Sequence, residues 1–243
     1  QPKKSARELI YDDTKDLSAL QSYRLMNTVT FQEEGAEGGT IQMEMDYVQD
    51  PPAQRILLRG QGVGTAQGGA AGEIEIVRVG KDSYARYGDK DWIAMQVPDE
   101  QLMPPAGVVY RPENVFHSAT GRYVGREQVN NEETEHYVFD KEALARSGIF
   151  EAVVEASGEV WVSTKHNVVV RAVARIKGRD AKSGKRVTID LRSDVMDINS
   201  EIEIKPPEGV QKPEVPEDVP LPAETKDLLI MLPMISFKIS MSA

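Results

Sequence analysis

Tyr23-Arg24-Leu25-Met26-Asn27-Thr28-Val29-Thr30-Phe31-Gln32, followed after a break by Ile41-Gln42-Met43-Glu44-Met45-Asp46-Tyr47, decides the fold. In the first run Tyr23, Leu25, Asn27, Val29 and Phe31 share one side of an extended chain, and Arg24, Thr28, Thr30 and Gln32 the other. In the second run Ile41, Met43, Met45 and Tyr47 alternate with Gln42, Glu44 and Asp46. A period of two marks a half-buried strand, because successive side chains point to opposite faces of a sheet. The acidic, Gly-rich connection Glu33 to Gly39 is a turn signal. The two runs predict adjacent strands with one apolar face and one wet face.

On the N-terminal side of these strands, Ala6, Leu9, Ile10, Leu17 and Leu20 fall near one face at helical spacing and predict a helix over residues 5–20. On the C-terminal side, Pro51-Pro52 ends the second strand, since proline cannot donate to a ladder. Further strands are predicted at Arg55–Gly60, Glu73–Val79, Ser83–Tyr87, Trp92–Val97, Arg122–Val129, Thr134–Phe139, Glu159–Ser163, Val168–Lys177 and Val187–Val195. A last extended piece is predicted at Ser200–Ile204. Short connections such as Gly80-Lys81-Asp82, Gly88-Asp89-Lys90-Asp91 and Asn130-Asn131 suit hairpins. Residues 98–121 carry Pro98, Pro104, Pro105 and Pro112 and read as a long loop with one short helix around Glu113–Ala119. Asp140 is placed to cap a second helical segment begun by Lys141-Glu142-Ala143-Leu144.

Sequential strands joined by tight turns make an antiparallel meander, and the lack of helices between strands excludes a doubly wound α/β fold. The expected fold is mainly β (α+β). It is a single, strongly curved antiparallel sheet of about eleven strands forming a half-barrel, with an N-terminal helix and one or two short helices on its concave face. Residues 1–205 form this domain. The proline-rich segment 206–226 reads as an extended linker, and 227–243 as an apolar tail. Such a tail has to bury in the domain's own cavity, in a neighbouring chain or at a membrane surface.

Composition narrows the function. The net charge of -10 disfavours nucleic acid and anionic headgroups as partners. The absence of cysteine excludes disulfides, thiolate catalysis and zinc–thiolate sites. The apolar stretch Leu228 to Ile235 is too short for a membrane helix and is interrupted by Pro233. The sequence begins Gln1-Pro2-Lys3-Lys4, and a signal peptide with any lipid-modified cysteine is expected to precede it.

Motifs for chemistry fail one by one. Gly60-Gln61-Gly62-Val63-Gly64 lacks the dinucleotide spacing and no helical pattern follows. Gly178 to Lys185 resembles a phosphate loop, but five residues separate its glycines and Arg186 stands where a Ser or Thr should. His117, His136 and His166 do not pair at ligand spacing. Glu132-Glu133-Thr134-Glu135-His136 reads as a solvated acidic turn, with Glu135 and His136 on opposite faces of a strand. No nucleophile elbow is present. We therefore expect no catalytic residue, no metal, no cofactor and no enzymatic activity.

The helices are too few to fill the concave side of such a sheet, which leaves an apolar hollow. Its expected lining is Leu25, Val29, Phe31, Met43, Met45, Tyr47, Leu57, Ile74, Ile76, Trp92, Met95 and Trp161. The methionines suit a wall that accepts varied apolar shapes. The two tryptophans open strands after turns and suit a ligand entrance.

The order of elements carries a family resemblance. A helix leads to Ser22-Tyr23-Arg24-Leu25 and a meander, followed by Tyr84-Ala85-Arg86-Tyr87-Gly88-Asp89-Lys90-Asp91-Trp92. Then come Tyr123-Val124-Gly125-Arg126 through Glu135-His136-Tyr137, and the late hairpin Gly158-Glu159-Val160-Trp161-Val162 to Val168-Val169-Val170-Arg171. Together these resemble the LolA/LolB-like superfamily of bacterial lipoprotein carriers, and more closely the LppX/LprG-type lipoproteins. The resemblance covers residues 5–205 and implies a half-barrel, a helical lid, an acyl-chain cavity and a lipid anchor at the mature N-terminus. It brings no catalytic residues. The proline linker and tail depart from the family pattern.

The expected function is non-enzymatic binding and transport of lipids or lipid-modified molecules at the bacterial cell envelope. The alternative is an envelope sensor or protein-interaction module of the same fold. A periplasmic or cell-surface location, membrane association through the anchor, an envelope protein as a further partner, and a monomer or weak tail-mediated dimer complete the expectation.

Overall fold

A computed structural model describes residues 7–35, 37–60, 72–95, 112–145, 152–179 and 184–210. The deciding hairpin forms as β2 (Ser22–Glu33) and β3 (Gly39–Val48), with Leu25 opposite Met45 and Asn27 opposite Met43. The meander continues through β4 (Ala53–Gly60), β5 (Gly72–Val79), β6 (Asp82–Tyr87) and β7 (Ile93–Met95) to one edge of the sheet. The second half starts at the other edge. There β8 (Thr120–Val129), β9 (Glu132–Phe139), β10 (Ala152–Ser163), β11 (Val169–Arg179) and β12 (Arg186–Met196) run back until β12 pairs with β2. A short β1 (Glu8–Ile10) adds to β8. The result is one open antiparallel sheet of twelve strands, mainly β as expected and one strand larger.

The predicted N-terminal helix does not form over the described residues. The chain runs through β1 and two single 3-10 turns, Tyr11–Asp13 and Leu17–Ala19. Short polar side chains capture the backbone here. The Thr14 hydroxyl donates to the Tyr11 carbonyl at 2.9 Å, and the Asp16 carboxylate accepts the Ser18 N–H at 2.7 Å. Such local bonds compete with a continuous helix, whatever the apolar spacing.

The two later helices form as single turns: α1 (Pro112–Phe116) and α2 (Lys141–Ala145). Pro112 stands at the first position of α1, where its fixed φ and missing N–H cost nothing. Asp140 accepts the Ala143 N–H at 2.9 Å and caps α2. The piece Ser200–Ile204 lies outside the sheet. After β12, Asp197 and Asn199 adopt positive φ, and the Asn199 N–H donates to the Ser22 carbonyl at 2.9 Å, turning the chain onto the start of β2. Residues 96–97 of the predicted fourth hairpin strand, most of the predicted linker and the whole tail lie outside the described residues.

The inner face carries two apolar cores. One lies under the helices and includes Phe116, Phe139, Leu144, Val160 and Ala172. Two glycines make it possible. Gly121 and Gly158 flank Phe139 on the neighbouring strands. A Cβ on Gly121 would sit 2.5 Å from the Phe139 ring, and one on Gly158 2.6 Å from the Phe116 ring. The second core gathers Leu20, Tyr23, Met43, Ile56, Val168 and Val170.

The outer face carries ion pairs. Asp194 accepts Arg171 Nε at 2.6 Å, Arg192 Nε at 2.7 Å and Asn130 Nδ2 at 3.1 Å, tying the β8–β9 turn to β11 and β12. Burial pushes this carboxyl up, but the bonds from Arg192, Arg171 and Asn130 outweigh it and hold it below its ordinary 3.8. A depressed carboxylate stabilises the fold above its unfolded-state value, and that contribution fades as pH falls through it. Asp194→Asn should lose about 1–3 kcal/mol at neutral pH and show a flatter fall in stability below the ordinary aspartate range. Urea unfolding at neutral and acid pH measures both, and an equally steep acid loss in the variant contradicts the assignment.

Candidate ligand-binding site

The inner ends of β2, β3 and β4 and the facing ends of β11 and β12 leave a hollow over the second core. Tyr23, Leu25 and Asn27 of β2, Met43, Met45 and Tyr47 of β3, and Gln54 and Ile56 of β4 form one wall. Val169, Ser193 and Val195 form the other. The alternation seen in the sequence puts these side chains on one face. Tyr23 stacks on Tyr47 at 5.0 Å between ring centres, and Gln54 donates its amide to the Met45 sulfur at 2.9 Å.

The roof is the segment where a helix was expected. Tyr11, Asp12, residues 14–18, Pro112 and Glu113 close the hollow over the sheet. The segment is fastened at both ends. The Tyr11 N–H donates to the Ala119 carbonyl at 3.0 Å, and the Lys15 N–H to the Asn167 carbonyl at 2.7 Å. Asn167 Nδ2 donates to the Asp13 carbonyl at 3.2 Å, and Ser118 donates its N–H to the Asp12 carboxylate. The hollow, open on one side, has a volume of about 460 Å³, within the roughly 300–1,000 Å³ of small-molecule sites.

Electrostatics divide the site into an apolar floor and an acidic mouth. Asp12, Asp16 and Glu113 line the hollow, and among the described residues of its lining Lys15 is the one cation. Burial first, and then Glu113, Asp12 and Asp16, hold the Tyr11 hydroxyl well above its ordinary pKa, so it stays neutral. On the floor, Asn27 is only 2% exposed and its Oδ1 has no hydrogen-bond partner.

Four of the residues expected from the sequence line this cavity: Leu25, Met43, Met45 and Tyr47. Val29, Phe31, Ile74, Ile76 and Met95 have the inner-face register but lie outside its lining. Val29 packs into the helix-covered core with Leu191, and Ile74 and Ile76 pack into the second core. Three others do not line it. Leu57 pairs in register with Glu44 and Glu75, so its side chain points away from the hollow although it is buried. Trp92 lies under the Arg86 guanidinium, whose partner is Glu75. Trp161 stacks on His136 at 4.3 Å, with Arg171 over its ring, and donates Nε1–H to Glu127 at 2.6 Å. Strand parity sets Leu57 and Trp161, and a tryptophan's place after a turn gives no indication of its face.

The acidic stretch before His136 also differs from a solvated turn. Glu133 is exposed, but His136 sits between Glu127 and Glu159, 3.1 and 2.8 Å away. Glu135, on the other face, is 8% exposed. Burial raises its carboxyl, and bonds from Tyr137, Arg126 and Arg7 lower it further than burial raises it. Among the described residues no group of three or more acidic or histidine side chains could hold a metal ion. No helix among them is long and apolar enough to cross a membrane.

Asn27, Ile56, Ser193, Val195 and the roof residues were not among the expected lining. Asn27 was on the correct face in the sequence, masked by its polarity. The roof could not be read, because it depends on contacts between residues 11–18 and chain about a hundred or more positions away.

No protein-family model matches the sequence, and no curated protein matches it. Among solved structures the fold is similar to a LolA superfamily protein from Nitrosomonas europaea, at 11% sequence identity and a TM-score of 0.28, over 79% of this chain and 91% of that one.

Proposed function

We propose that the protein holds and carries one apolar or acylated small molecule at a time, without chemical turnover, in the cavity between its sheet and its roof. The hollow of about 460 Å³ with Leu25, Met43, Met45, Ile56 and Val195 on its walls carries this reading. Apolar walls facing water in an open hollow are costly, because that surface stays hydrated. A ligand of matching shape covers that surface. The volume suits a single chain or small amphiphile. We place this activity outside the cytoplasm, at a bacterial envelope, with the chain closest in kind to the LppX/LprG-type lipoproteins its sequence resembles.

Two measurements test the reading. Native mass spectrometry of gently purified protein should show a co-purifying amphiphile that organic extraction removes. The extracted protein should then bind a fluorescent apolar probe saturably, one per chain. Protein free of any amphiphile that also fails to take up the probe overturns the proposal.

A further inference from the structure

The geometry points to Asn27 as a polar anchor inside the cavity, selecting apolar-chain ligands that carry a neutral hydrogen-bond-donating group, a hydroxyl or an amide. This rests on the ligand-holding reading above and specifies its ligand.

Asn27 stands at the centre of β2, paired with Met43 on one side and Ser193 on the other, and all three line the cavity. Its neighbours on the inner face of the strand are Leu25 and Val29, so the amide is a polar group on an apolar wall. It is 2% exposed, and its Oδ1 accepts no hydrogen bond. A buried acceptor without a donor is destabilising, and native interiors satisfy nearly all such groups. The sheet's backbone groups are taken up in the ladders around it: Asn27 lies within continuous antiparallel pairing on both sides. Asn27 is among the residues that line the cavity. The last torsion of an asparagine is soft, so the amide can turn its oxygen toward a donor arriving there.

The amide offers both donors and an acceptor. A hydroxyl or primary amide answers both, whereas an ester or ether can only accept. The mouth discriminates in a second way. Among the described lining residues, Asp12, Asp16 and Glu113 outnumber Lys15 and repel a carboxylate or phosphate headgroup, so a neutral group is favoured over an anionic one. Ser193 provides a hydroxyl beside it on the same floor.

The test is displacement of a fluorescent apolar probe from delipidated, full-length protein by four matched chains: dodecanol, dodecanamide, methyl dodecanoate and dodecanoate. The alcohol and the amide should bind on the order of tenfold tighter than the ester, and the carboxylate weakest of all. Asn27→Leu, close to asparagine in size, should abolish the preference for alcohol and amide over ester. Its melting temperature should not fall, because the change removes a partnerless buried polar group. Should Asn27→Leu fail to fold, the four-ligand comparison on the wild-type protein still decides. Equal affinity for alcohol, amide and ester overturns the anchor, with solvent water as the partner of Oδ1, and leaves apolar holding intact. Failure of all four chains and of the probe to bind overturns the ligand-holding reading itself.

Discussion

Phe116→Ala should cost about 3–5 kcal/mol of folding free energy and weaken apolar-probe binding at the same time. Phe116 is 0% exposed. It stacks on Tyr11 at 5.4 Å, meets Phe139 edge-on at 4.9 Å and rests on the bare backbone of Gly158. Truncation therefore leaves a void with a glycine for a floor, and no β-carbon can move in to fill it. The helix α1 is a single turn and has no stability of its own. Its position depends on Phe116, and through the ring stack so does Tyr11, which lines the cavity. The roof should loosen with the core. Denaturant unfolding reads the first effect and probe titration the second. Phe116→Leu should fall between wild type and alanine in both. A loss in Phe116→Ala well under the range above, or unchanged probe affinity, would show that the roof is held by its backbone bonds to Ala119 and Asn167 alone.

That dependence explains which parts of the molecule were legible in the sequence. A period of two is a local signal, so β2 and β3 were readable from Tyr23 to Tyr47, together with the face that each side chain takes. The cap at Asp140 was readable for the same reason: an aspartate three residues before the N–H it accepts. The joining of the sheet's two halves is not local. β12 pairs with β2 across the length of the domain, and no spacing in either strand announces that neighbour. The first twenty residues misled for an energetic reason. Leu9, Ile10, Leu17 and Leu20 have helical spacing, but Thr14 and Asp16 offer the backbone alternative partners, and the Lys15 and Tyr11 amides find acceptors on distant strands. Tertiary bonds decided between two conformations of similar local cost. The cavity was half legible. Leu25, Met43, Met45 and Tyr47 follow from parity, while Trp161, expected at an entrance because it opens a strand after a turn, is set by the same parity beside His136.

Met43→Trp should reduce apolar-probe affinity by at least about tenfold, roughly 1.4 kcal/mol or more, with little loss of stability. Met43 sits on the inner face of β3, opposite Asn27 and Leu58, with its side chain on the cavity wall. In a filled core such an enlargement forces strain of about 1–3 kcal/mol. Here the added indole has a hollow of about 460 Å³ beside it. It can occupy that space in place of a ligand, and the contacts it gains offset the strain. Binding and stability should therefore separate, which no general damage to the sheet would produce. Met26→Trp is the matched control. Met26 is the residue before Asn27 on the same strand, so its side chain points outward, and it is 43% exposed. The same substitution there should leave probe affinity unchanged. Equal loss in both variants would mean that the probe binds the outer face. A large stability loss in Met43→Trp with affinity retained would mean that the floor is closed and the ligand enters elsewhere. The two methionines are seventeen positions apart in sequence and on opposite faces of one hairpin, so the pair reads which face of the sheet holds the ligand.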